Sequence, residues 1–435
     1  MSGRGALLWP ATDGATKHSV RAFGSTITRD LGSRFADIIS VADYAVGDGS
    51  ADDTEGIAAA AVRAGGRLLV FPKGTWLTSE TIALPGNCSV FMDTGAIVRA
   101  TAAMDAVFTV GTIGSGAGNK TFEGAAYIDC DGLADRGIWV TPAHWTVRDV
   151  IVRDPVLYGV HFDGGYGGYA QGVKVENTGA AMVAGTIGFH VESSDGSLFQ
   201  CLSQGQERGF KCTSAQNRFL TCHAWSAVAS TGWMLEGFTD THSGNAYIGC
   251  EADTPQNYGF RFTAADSTVG GHQIIGCKVL LPGPNATTLV GVKFDAAAPI
   301  ASVLGNHFRA NDAGNPIAKD VEATAYGAIR IAGNVHTNVT TMRAQIASAF
   351  SHTETWDPSS IAAGAFTSLT ATVPGAVVGD HVLVTHSGLG AVSGVQMSGA
   401  VTAADTVKVT ACSSSGAGQD IASGTVRITL LRVAP

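Results

Sequence analysis

The amino-acid sequence predicts an all-β protein: a right-handed parallel β-helix (solenoid) with an N-terminal capping helix and a C-terminal antiparallel β-sandwich. Three observations support this prediction. Glycine occupies 56 of 435 positions while charged residues make up only 14%, a balance that suits short strands and many turns. A four-residue pattern recurs at intervals typical of solenoid coils. Windows with helical periodicity are rare.

The recurring pattern is a glycine followed by three residues, of which the first and third are apolar. It recurs at steps of 21 to 36 residues, with alanine leading the last unit. Because side chains alternate between the faces of a strand, the two apolar residues should point into the solenoid and the middle residue outward. We therefore expect one strand per coil at 137–140, 159–162, 188–191, 209–212, 232–235, 259–262, 291–294 and 328–331.

A second strand of each coil is marked by its last residue. Four segments end in Cys201, Cys222, Cys250 and Cys277, and a fifth ends in Asn306. Stacked coils should set these cysteines about 5 Å apart as an interior ladder. Eight cysteines without a C-x-x-C pair indicate neither a disulfide scaffold nor a zinc site, so we expect reduced, buried thiols.

The N-terminal half begins with the predicted capping helix. An alanine-rich segment at 55–64 follows the acidic residues Asp48, Asp52 and Asp53. Asp52 or Asp53 can cap this helix. The acidic cluster lacks the later glutamate of an EF-hand loop, so we predict capping rather than a metal site, and no cofactor.

Composition divides the chain and limits its partners. We predict an N-terminal segment at 1–40, the β-helix at 41–340, a short helical linker at 341–350 and the β-sandwich at 351–435. The net charge of −9, without a Lys or Arg run, argues against nucleic acid. No apolar run long enough to span a bilayer and no signal peptide are present, so we expect no membrane partner and assembly in a cytoplasm.

Two stretches resemble a known family. Residues 41–54, followed by Phe-Pro-Lys-Gly-Thr-Trp at 71–76, resemble the opening of the pectate-lyase-like β-helix superfamily, as found in bacteriophage tailspikes and tail-fibre depolymerases. Residues 29–40 look like the neck of such a spike, and 356–435 resemble a C-terminal sandwich module of phage spikes. The middle of the chain matches only in its coil pattern.

The resemblance implies a homotrimer in the phage tail that binds a bacterial surface polysaccharide and, as in many relatives, cleaves it. It also implies contacts of the N-terminus with other tail or baseplate proteins, and a C-terminal module for trimerisation or carbohydrate binding. The family keeps no single catalytic motif. Candidate residues therefore come from this sequence alone.

The outward residues supply the catalytic candidates. Glycoside hydrolysis usually takes two carboxyl groups, about 5 Å apart for retention of configuration and about 6.5–9.5 Å apart for inversion. Asp163 and Glu192 should lie on adjacent coils, and Glu192 and Glu236 two coils apart, so either pair is a candidate. Outward positions are polar by default, and a charged face alone does not establish catalysis.

The same face carries candidate substrate-binding residues. Its cationic side chains suit an acidic or hydroxyl-rich glycan, and tyrosines of the insertion at 163–169 could stack on sugar rings together with a tryptophan at a coil corner. An alternative is a lyase, in which His161 or Lys211 removes the proton beside a uronate carboxylate that Arg261 neutralises. The predicted binding residues are His161, His190, Lys211, Arg261, Tyr166, Tyr169 and Trp225.

Three functions follow from these features. The leading hypothesis is a phage tailspike or tail fibre that binds and degrades capsule, exopolysaccharide or O-antigen. The alternative is a non-catalytic receptor-binding or structural virion fibre with the same fold. The third is a bacterial polysaccharide lyase or epimerase.

Overall fold

Three long parallel sheets wind around one core. The computed structural model describes residues 19–21, 28–30, 37–111, 120–141, 144–179, 184–226, 234–263, 271–280, 289–295, 300–310, 316–323, 329–341, 349–358, 360–391, 394–414 and 418–431. Between residues 38 and 341 successive coils add one strand to each sheet, except that the first coil has no strand in the 11-stranded sheet, and neighbouring strands within each of the three sheets are parallel. The predicted right-handed parallel β-helix is confirmed.

We name the three sheets A, B and C. The 11 strands of sheet A are Ile82–Leu84, Phe108–Val110, Arg136–Val140, Tyr158–Phe162, Ile187–Val191, Arg208–Cys212, Glu236–Asp240, Tyr258–Phe262, Val290–Phe294, Ile317–Ala323 and Val339–Thr341. The 12 strands of sheet B are Ile38–Ser40, Leu68–Phe71, Ser89–Met92, Lys120–Glu123, Trp145–Arg148, Tyr169–Gln171, Ser197–Phe199, Arg218–Leu220, Ala246–Ile248, His272–Ile275, Ala301–Leu304 and Ile329–Ala332. The 12 strands of sheet C are Asp48–Asp52, Gly74–Thr78, Ala96–Ala100, Tyr127–Asp129, Ile151–Arg153, Lys174–Glu176, Leu202–Gln204, His223–Trp225, Glu251–Asp253, Lys278–Leu280, His307–Arg309 and Val335–Thr337.

The repeated glycine lies where sheet A passes close to sheet C. A Cβ atom on Gly159 would lie 2.3 Å from Cγ1 of Val175, and one on Gly237 would lie 2.6 Å from Cβ of Ala252. No side chain fits such a close approach, because real Cβ atoms do not come this near to other heavy atoms. This contact explains why the sequence needs a glycine once per coil.

The inward residues of sheet A form an aromatic ladder. Phe189, Phe210, Phe238 and Phe260 stack with ring centroids 4.7–4.9 Å apart. Phe162 is buried as well, so the predicted inward face is confirmed for the described phenylalanines. Each ring buries a large apolar area, and the stack ties successive coils together.

Two of the eight predicted glycine units are wrong. For the fifth predicted unit, the sheet A strand is Glu236–Asp240 rather than 232–235. Met234 is therefore buried instead of facing solvent. Residues 227–233 lie outside the described residues. The pattern missed this strand because its inward third residue is a carboxyl, Asp240. The unit at 328–331 belongs to sheet B as Ile329–Ala332, while sheet A continues with Ile317–Ala323.

The predicted second strands are the sheet B strands, and the cysteines that follow them are buried and free. Cys222, Cys250 and Cys277 each donate their S–H to a backbone carbonyl of the preceding coil, with Sγ to O distances of 3.2–3.4 Å. Burial raises the pKa of these three thiols well above the ordinary value. The ladder is therefore a packing feature without accessible thiolates.

The capping helix is Thr54–Arg63, and its buried residues belong to the same hydrophobic core as the β-helix. The N-cap residue is Asp53, whose side chain makes no capping hydrogen bond. The Asp52 carboxylate accepts a hydrogen bond from the backbone N–H of Thr54, the first helical residue, at 3.0 Å. The Asp53 carboxylate instead accepts from the Val46 N–H at 2.8 Å. The remaining short elements are the 3₁₀ helices Val41–Asp43 and Ser387–Ala391 and the paired strands Ser19–Arg21 and Thr28–Asp30.

The C-terminal region contains two three-stranded antiparallel sheets that share a second hydrophobic core. Their strands are Ala349–Trp356, Gly424–Leu431 and His381–His386 in one sheet, and Phe366–Thr372, Thr406–Ser413 and Val395–Ala403 in the other. Of the predicted helical linker, Thr341 ends a sheet A strand and Ala349 begins a C-terminal strand; 342–348 lie outside the described residues. None of the helices in the described part of the chain has the length and apolar character needed to cross a bilayer.

Candidate functional site

The outer face of sheet A carries two rows of side chains. Sheet A bends at each glycine. Two residues of each such strand therefore face outward: the residue before the glycine and the residue two positions after it. The first row runs Arg136, Tyr158, Ile187, Arg208, Glu236, Tyr258, Val290 and Lys319. The second row runs Trp139, His161, His190, Lys211, Thr239, Arg261, Lys293 and Glu322.

His161 and His190 are neighbours in the second row. Their imidazole rings stack with centroids 4.8 Å apart and planes 6° apart. The sequence predicted that both would face solvent, but only 5% of His161 and 4% of His190 is exposed. Tyr158 packs against both rings and Trp139 stacks on His161, so the two histidines are covered by side chains of the same outer face.

Glu192 lies against both imidazoles. Its Oε2 is 3.4 Å from Nε2 of His161, and its Oε1 is 3.2 Å from Nε2 of His190. Burial lowers the pKa of His161 to about 4 and that of His190 to about 3. Both rings are therefore neutral near pH 7, and Glu192 has no imidazolium to stabilise its charge.

Arg136 determines which nitrogen of His161 carries the proton. Its Nε donates a hydrogen bond to Nδ1 of His161 at 3.1 Å, so Nδ1 must be the acceptor. The proton of the neutral ring then lies on Nε2, which is 3.4 Å from Oε2 of Glu192 but makes no hydrogen bond to it. The Arg136 guanidinium stacks over the rings of Trp139 and Tyr158, at 4.5 Å and 5.2 Å from their centroids.

Asp163 and Glu192 lie on adjacent coils, as the sequence predicted. Glu192 N–H donates to the carbonyl of Phe162 at 2.8 Å, which places the two carboxyl groups next to each other. The Trp139 indole Nε1 donates to Oδ2 of Asp163 at 2.9 Å. Burial raises the pKa of Glu192, and the neighbouring Asp163 carboxyl raises it further. A raised pKa favours the protonated form of Glu192.

Glu236 does not lie in a row with Glu192. It lies before the glycine of its strand, in the first row, and only 3% of it is exposed. Its Oε1 accepts from Arg261 at 2.7 Å, while its Oε2 accepts from Arg208 at 3.3 Å and from the Thr239 hydroxyl. Both carboxylate oxygens are thus held by the protein itself.

The cationic side chains of the outer face differ in their partners. Arg208, Arg261, Lys293 and Lys319 each form an ion pair with a carboxylate. Lys211, which pairs with His190 across the sheet, has no carboxylate within 4.0 Å among the residues that the structure describes. The positive charge of Lys211 beside Glu192 is therefore available to a ligand.

The predicted aromatic platform is divided among three places. Tyr166 lies on the insertion after Asp163 and is 55% exposed, with His144 at its ring edge. Tyr169 lies in sheet B and donates to Gln171 at 3.3 Å. Trp225, 37% exposed, lies in sheet C. Of the three predicted aromatics, only Tyr166 lies on the loop next to the Asp163 carboxyl, so the prediction of one continuous platform is wrong.

Two groups of side chains bring metal-ligating atoms within 4.8 Å of one another: His161, His190 and Glu192 on sheet A, and His223, Glu251 and Asp253 on sheet C. The first group fits a cation poorly. Because Arg136 donates to Nδ1 of His161, the proton lies on Nε2, the atom that would have to bind the metal. The second group has no such obstacle.

Sequence reasoning missed Arg136, Tyr158 and Thr239. Arg136 and Tyr158 come directly before a glycine, and the two apolar positions alone give no sign that this preceding residue faces outward. A search for charged or aromatic residues immediately before each glycine would have found both. Thr239 was missed because its strand was assigned to the wrong residues.

Comparison with known proteins supports the fold. No family model and no curated protein matches the sequence. The fold is similar to that of full-length tailspike protein 2 from Escherichia coli O157:H7 bacteriophage CAB120, with a TM-score of 0.53 and 11% identity over 92% of this chain and 66% of that chain. Weaker similarities are to the E. coli bacteriophage HK620 tailspike protein in complex with a pentasaccharide (TM-score 0.45, 10% identity, 96% and 97% covered) and to the A-module of the Azotobacter vinelandii mannuronan C-5 epimerase AlgE4 (TM-score 0.43, 15% identity, 71% and 98% covered). The chain therefore has the right-handed parallel β-helix fold that is also found in phage tailspike proteins.

Proposed function

We propose that this protein is a phage tailspike or tail fibre that binds a bacterial surface polysaccharide on the outer face of sheet A and hydrolyses it at Asp163 and Glu192. The observation that supports this proposal is the pair itself. Two carboxyl groups lie side by side on adjacent coils, one with a raised pKa and the other held by an indole N–H. A raised pKa favours the protonated form of Glu192, which an acid catalyst needs.

The chemistry assigns a role to each carboxyl. Glu192, as general acid, donates its proton to the glycosidic oxygen while the bond from that oxygen to the anomeric carbon breaks. Asp163 and Glu192 are close enough to share a hydrogen bond, and a carboxyl pair this close suits the retaining reaction, in which the second carboxylate is the nucleophile. Asp163 then forms the glycosyl ester, and water releases the sugar with Glu192 acting as base.

The surrounding residues position this pair. His161 Nε2–H and the neighbouring His190 lie against the two oxygens of Glu192, and Arg136 fixes the tautomer of His161. These three are positioning residues. Lys211 and the exposed ring of Tyr166 are the proposed contacts to the glycan. Glu236 and Arg261 hold each other and shape the groove wall.

The proposal also covers how the chain assembles in the phage tail. The β-helices would form a homotrimer, the N-terminal segment would join other tail or baseplate proteins, and the C-terminal module would serve trimerisation or carbohydrate binding. These roles rest on the resemblance of 29–100 and 356–435 to tailspike segments. Light scattering of the purified full chain measures the trimer directly.

The test uses the full chain and a panel of purified capsules, exopolysaccharides and lipopolysaccharides. New reducing ends without absorbance at 232 nm indicate hydrolysis, whereas added absorbance indicates elimination and contradicts the assignment. We expect Glu192→Gln and Asp163→Asn to lose at least about 100-fold in kcat while polysaccharide binding remains. Glu322→Gln, at a carboxyl of the second row of the same sheet and outside the pair, is the control and should keep its activity.

Two results count against hydrolysis at this pair. Activity of Glu192→Gln within threefold of the parent chain would place the chemistry elsewhere. Binding of a polysaccharide without any cleavage would favour the non-catalytic fibre.

A further inference from the structure

The outer face of sheet C carries a second cluster of polar side chains. His223 and Trp225 lie in one strand, and Glu251 and Asp253 lie opposite them in the next coil. His223 pairs with Glu251 and Trp225 pairs with Asp253, so the four side chains form a square on one face. This cluster lies on a different sheet from Asp163 and Glu192, and the proposed hydrolysis does not use it.

Two atoms in this cluster are buried without a partner. Nε2 of His223 and Oδ1 of Asp253 are shielded from solvent, and neither has a hydrogen-bond partner among the described residues. Buried polar atoms are normally paired, so two orphans at one place call for an explanation. Their residues also share the geometry of a metal site, because ligand atoms of His223, Glu251 and Asp253 all lie within 4.8 Å of one another.

The charges around this cluster also favour a bound cation. Two carboxyl groups face this spot, and Lys278 is the cation that reaches one of them, at 3.3 Å from Glu251. Lys278 is 53% exposed, and an exposed ion pair of this kind is weak and easily displaced. Asp253 has no ion pair with a cationic side chain among the residues described.

We propose that His223, Glu251 and Asp253 bind one divalent transition-metal ion of the zinc type. One imidazole nitrogen and two carboxylate oxygens are a common ligand set for such an ion, and water would complete the coordination. The ion would pair both orphaned atoms and join two adjacent coils. Trp225 stacks near His223, with ring centroids 6.5 Å apart and planes 19° apart, which limits rotation of the ligand imidazole.

The experiment uses the full chain without a histidine tag, treated with EDTA and dialysed. Zinc chloride is titrated by calorimetry, and bound zinc is counted by mass spectrometry after gel filtration. We expect one zinc per chain, with at least about tenfold weaker binding in His223→Asn and in Asp253→Asn. Zinc should also raise the melting temperature of the parent chain but not that of His223→Asn.

Two controls make the result specific. His307 lies in sheet C in the same row as His223, three coils further along, so His307→Asn tests whether any outward histidine suffices. His190→Asn tests the other His-carboxylate group. Both should bind zinc as the parent chain does.

Three outcomes overturn the proposal: no zinc bound by the parent chain at 1 mM (about 10³ times a micromolar dissociation constant), unchanged binding in His223→Asn, or loss of binding in His190→Asn alone. Folding of each variant is checked by circular dichroism in EDTA. There, Asp253→Asn should be at least as stable as the parent chain, because it removes a carboxylate whose Oδ1 is buried without a hydrogen-bond partner among the described residues; a lower melting temperature would show that this oxygen already has a partner.

Discussion

Asp240 is a carboxyl group in an interior position of the β-helix, where the neighbouring coils place Cys212 and Phe262. Only 1% of Asp240 is exposed, and burial raises its pKa from 3.8 to about 7. Asn245 donates to both of its oxygens and the Tyr247 hydroxyl donates to one, but these bonds do not offset the cost of burial.

The raised pKa predicts a pH-dependent penalty. Below about pH 4 Asp240 is protonated in both states and contributes nothing. Between about pH 4 and pH 7 the unfolded chain loses the proton while the folded chain keeps it, so stability falls. Above about pH 7 the penalty is complete, at about 4 kcal/mol, since each pH unit is worth about 1.4 kcal/mol.

The test compares the parent chain with Asp240→Asn by calorimetry at pH 4 and pH 8. Asparagine alters the hydrogen bonds by an amount that does not depend on pH. The informative quantity is therefore how the difference in melting temperature between Asp240→Asn and the parent chain changes from pH 4 to pH 8. Unfolding entropy of about 2.1 cal/mol/K per residue gives about 0.9 kcal/mol/K for 435 residues. The difference in melting temperature should therefore shift by about 5 °C in favour of Asp240→Asn between these pH values.

The groups around Asp240 do not obscure this test. His272 Nδ1 lies 3.5 Å from its Oδ2, and burial lowers the pKa of His272 to about 4, but His272 is present in both proteins. Burial raises the pKa of Cys212 and Tyr247 beyond the tested range. Asp131→Asn, which removes an exposed carboxyl instead, is the control. A constant difference between Asp240→Asn and the parent chain at all pH values would refute the raised pKa.

Three further predictions follow from the packing and the candidate site. The kcat for polysaccharide cleavage should fall as pH rises through the raised pKa of Glu192, because the general acid loses its proton; a rate independent of pH from 5 to 8 would contradict this role. Phe238→Ala should lower the free energy of unfolding by about 3–5 kcal/mol, measured by denaturant titration, because it leaves a gap in the phenylalanine stack. Gly159→Ala should cost about 1–3 kcal/mol in the same assay, because its Cβ would meet Val175 at 2.3 Å; unchanged stability would show that sheets A and C can separate there.

The sequence predicted the solenoid because its coils repeat one physical requirement. Seven successive coils, from Gly137 to Gly291, have a glycine where sheet A meets sheet C, and all but one follow it with two inward apolar residues at positions that are visible without coordinates. The prediction failed where a coil breaks that rule. Asp240 fills an inward position with a carboxyl, and the pattern search therefore selected 232–235 and placed Glu236 in the wrong row.

The candidate site was predictable only in part. Asp163 and Glu192 are neighbours because coil spacing sets them so, and the sequence shows that spacing. The burial of His161 depends on rings from other coils, and those contacts require coordinates. The position of Trp225 depends on where a coil turns its corner, and turns of variable length hide this from the sequence.

Glu192 and Glu236 show how one outer face gives two carboxyl groups different roles. Glu236 is bound by two guanidinium groups and a hydroxyl, so both of its oxygens are occupied by fixed donors and none is free for a glycosidic oxygen. Burial raises the pKa of Glu192, and the neighbouring Asp163 carboxyl raises it further. A carboxyl can act as an acid only if it holds a proton and can reach the substrate. The histidines beside Glu192 are neutral near pH 7, and imidazolium ions in their place would lower its pKa further than Lys211 and Arg136 already do.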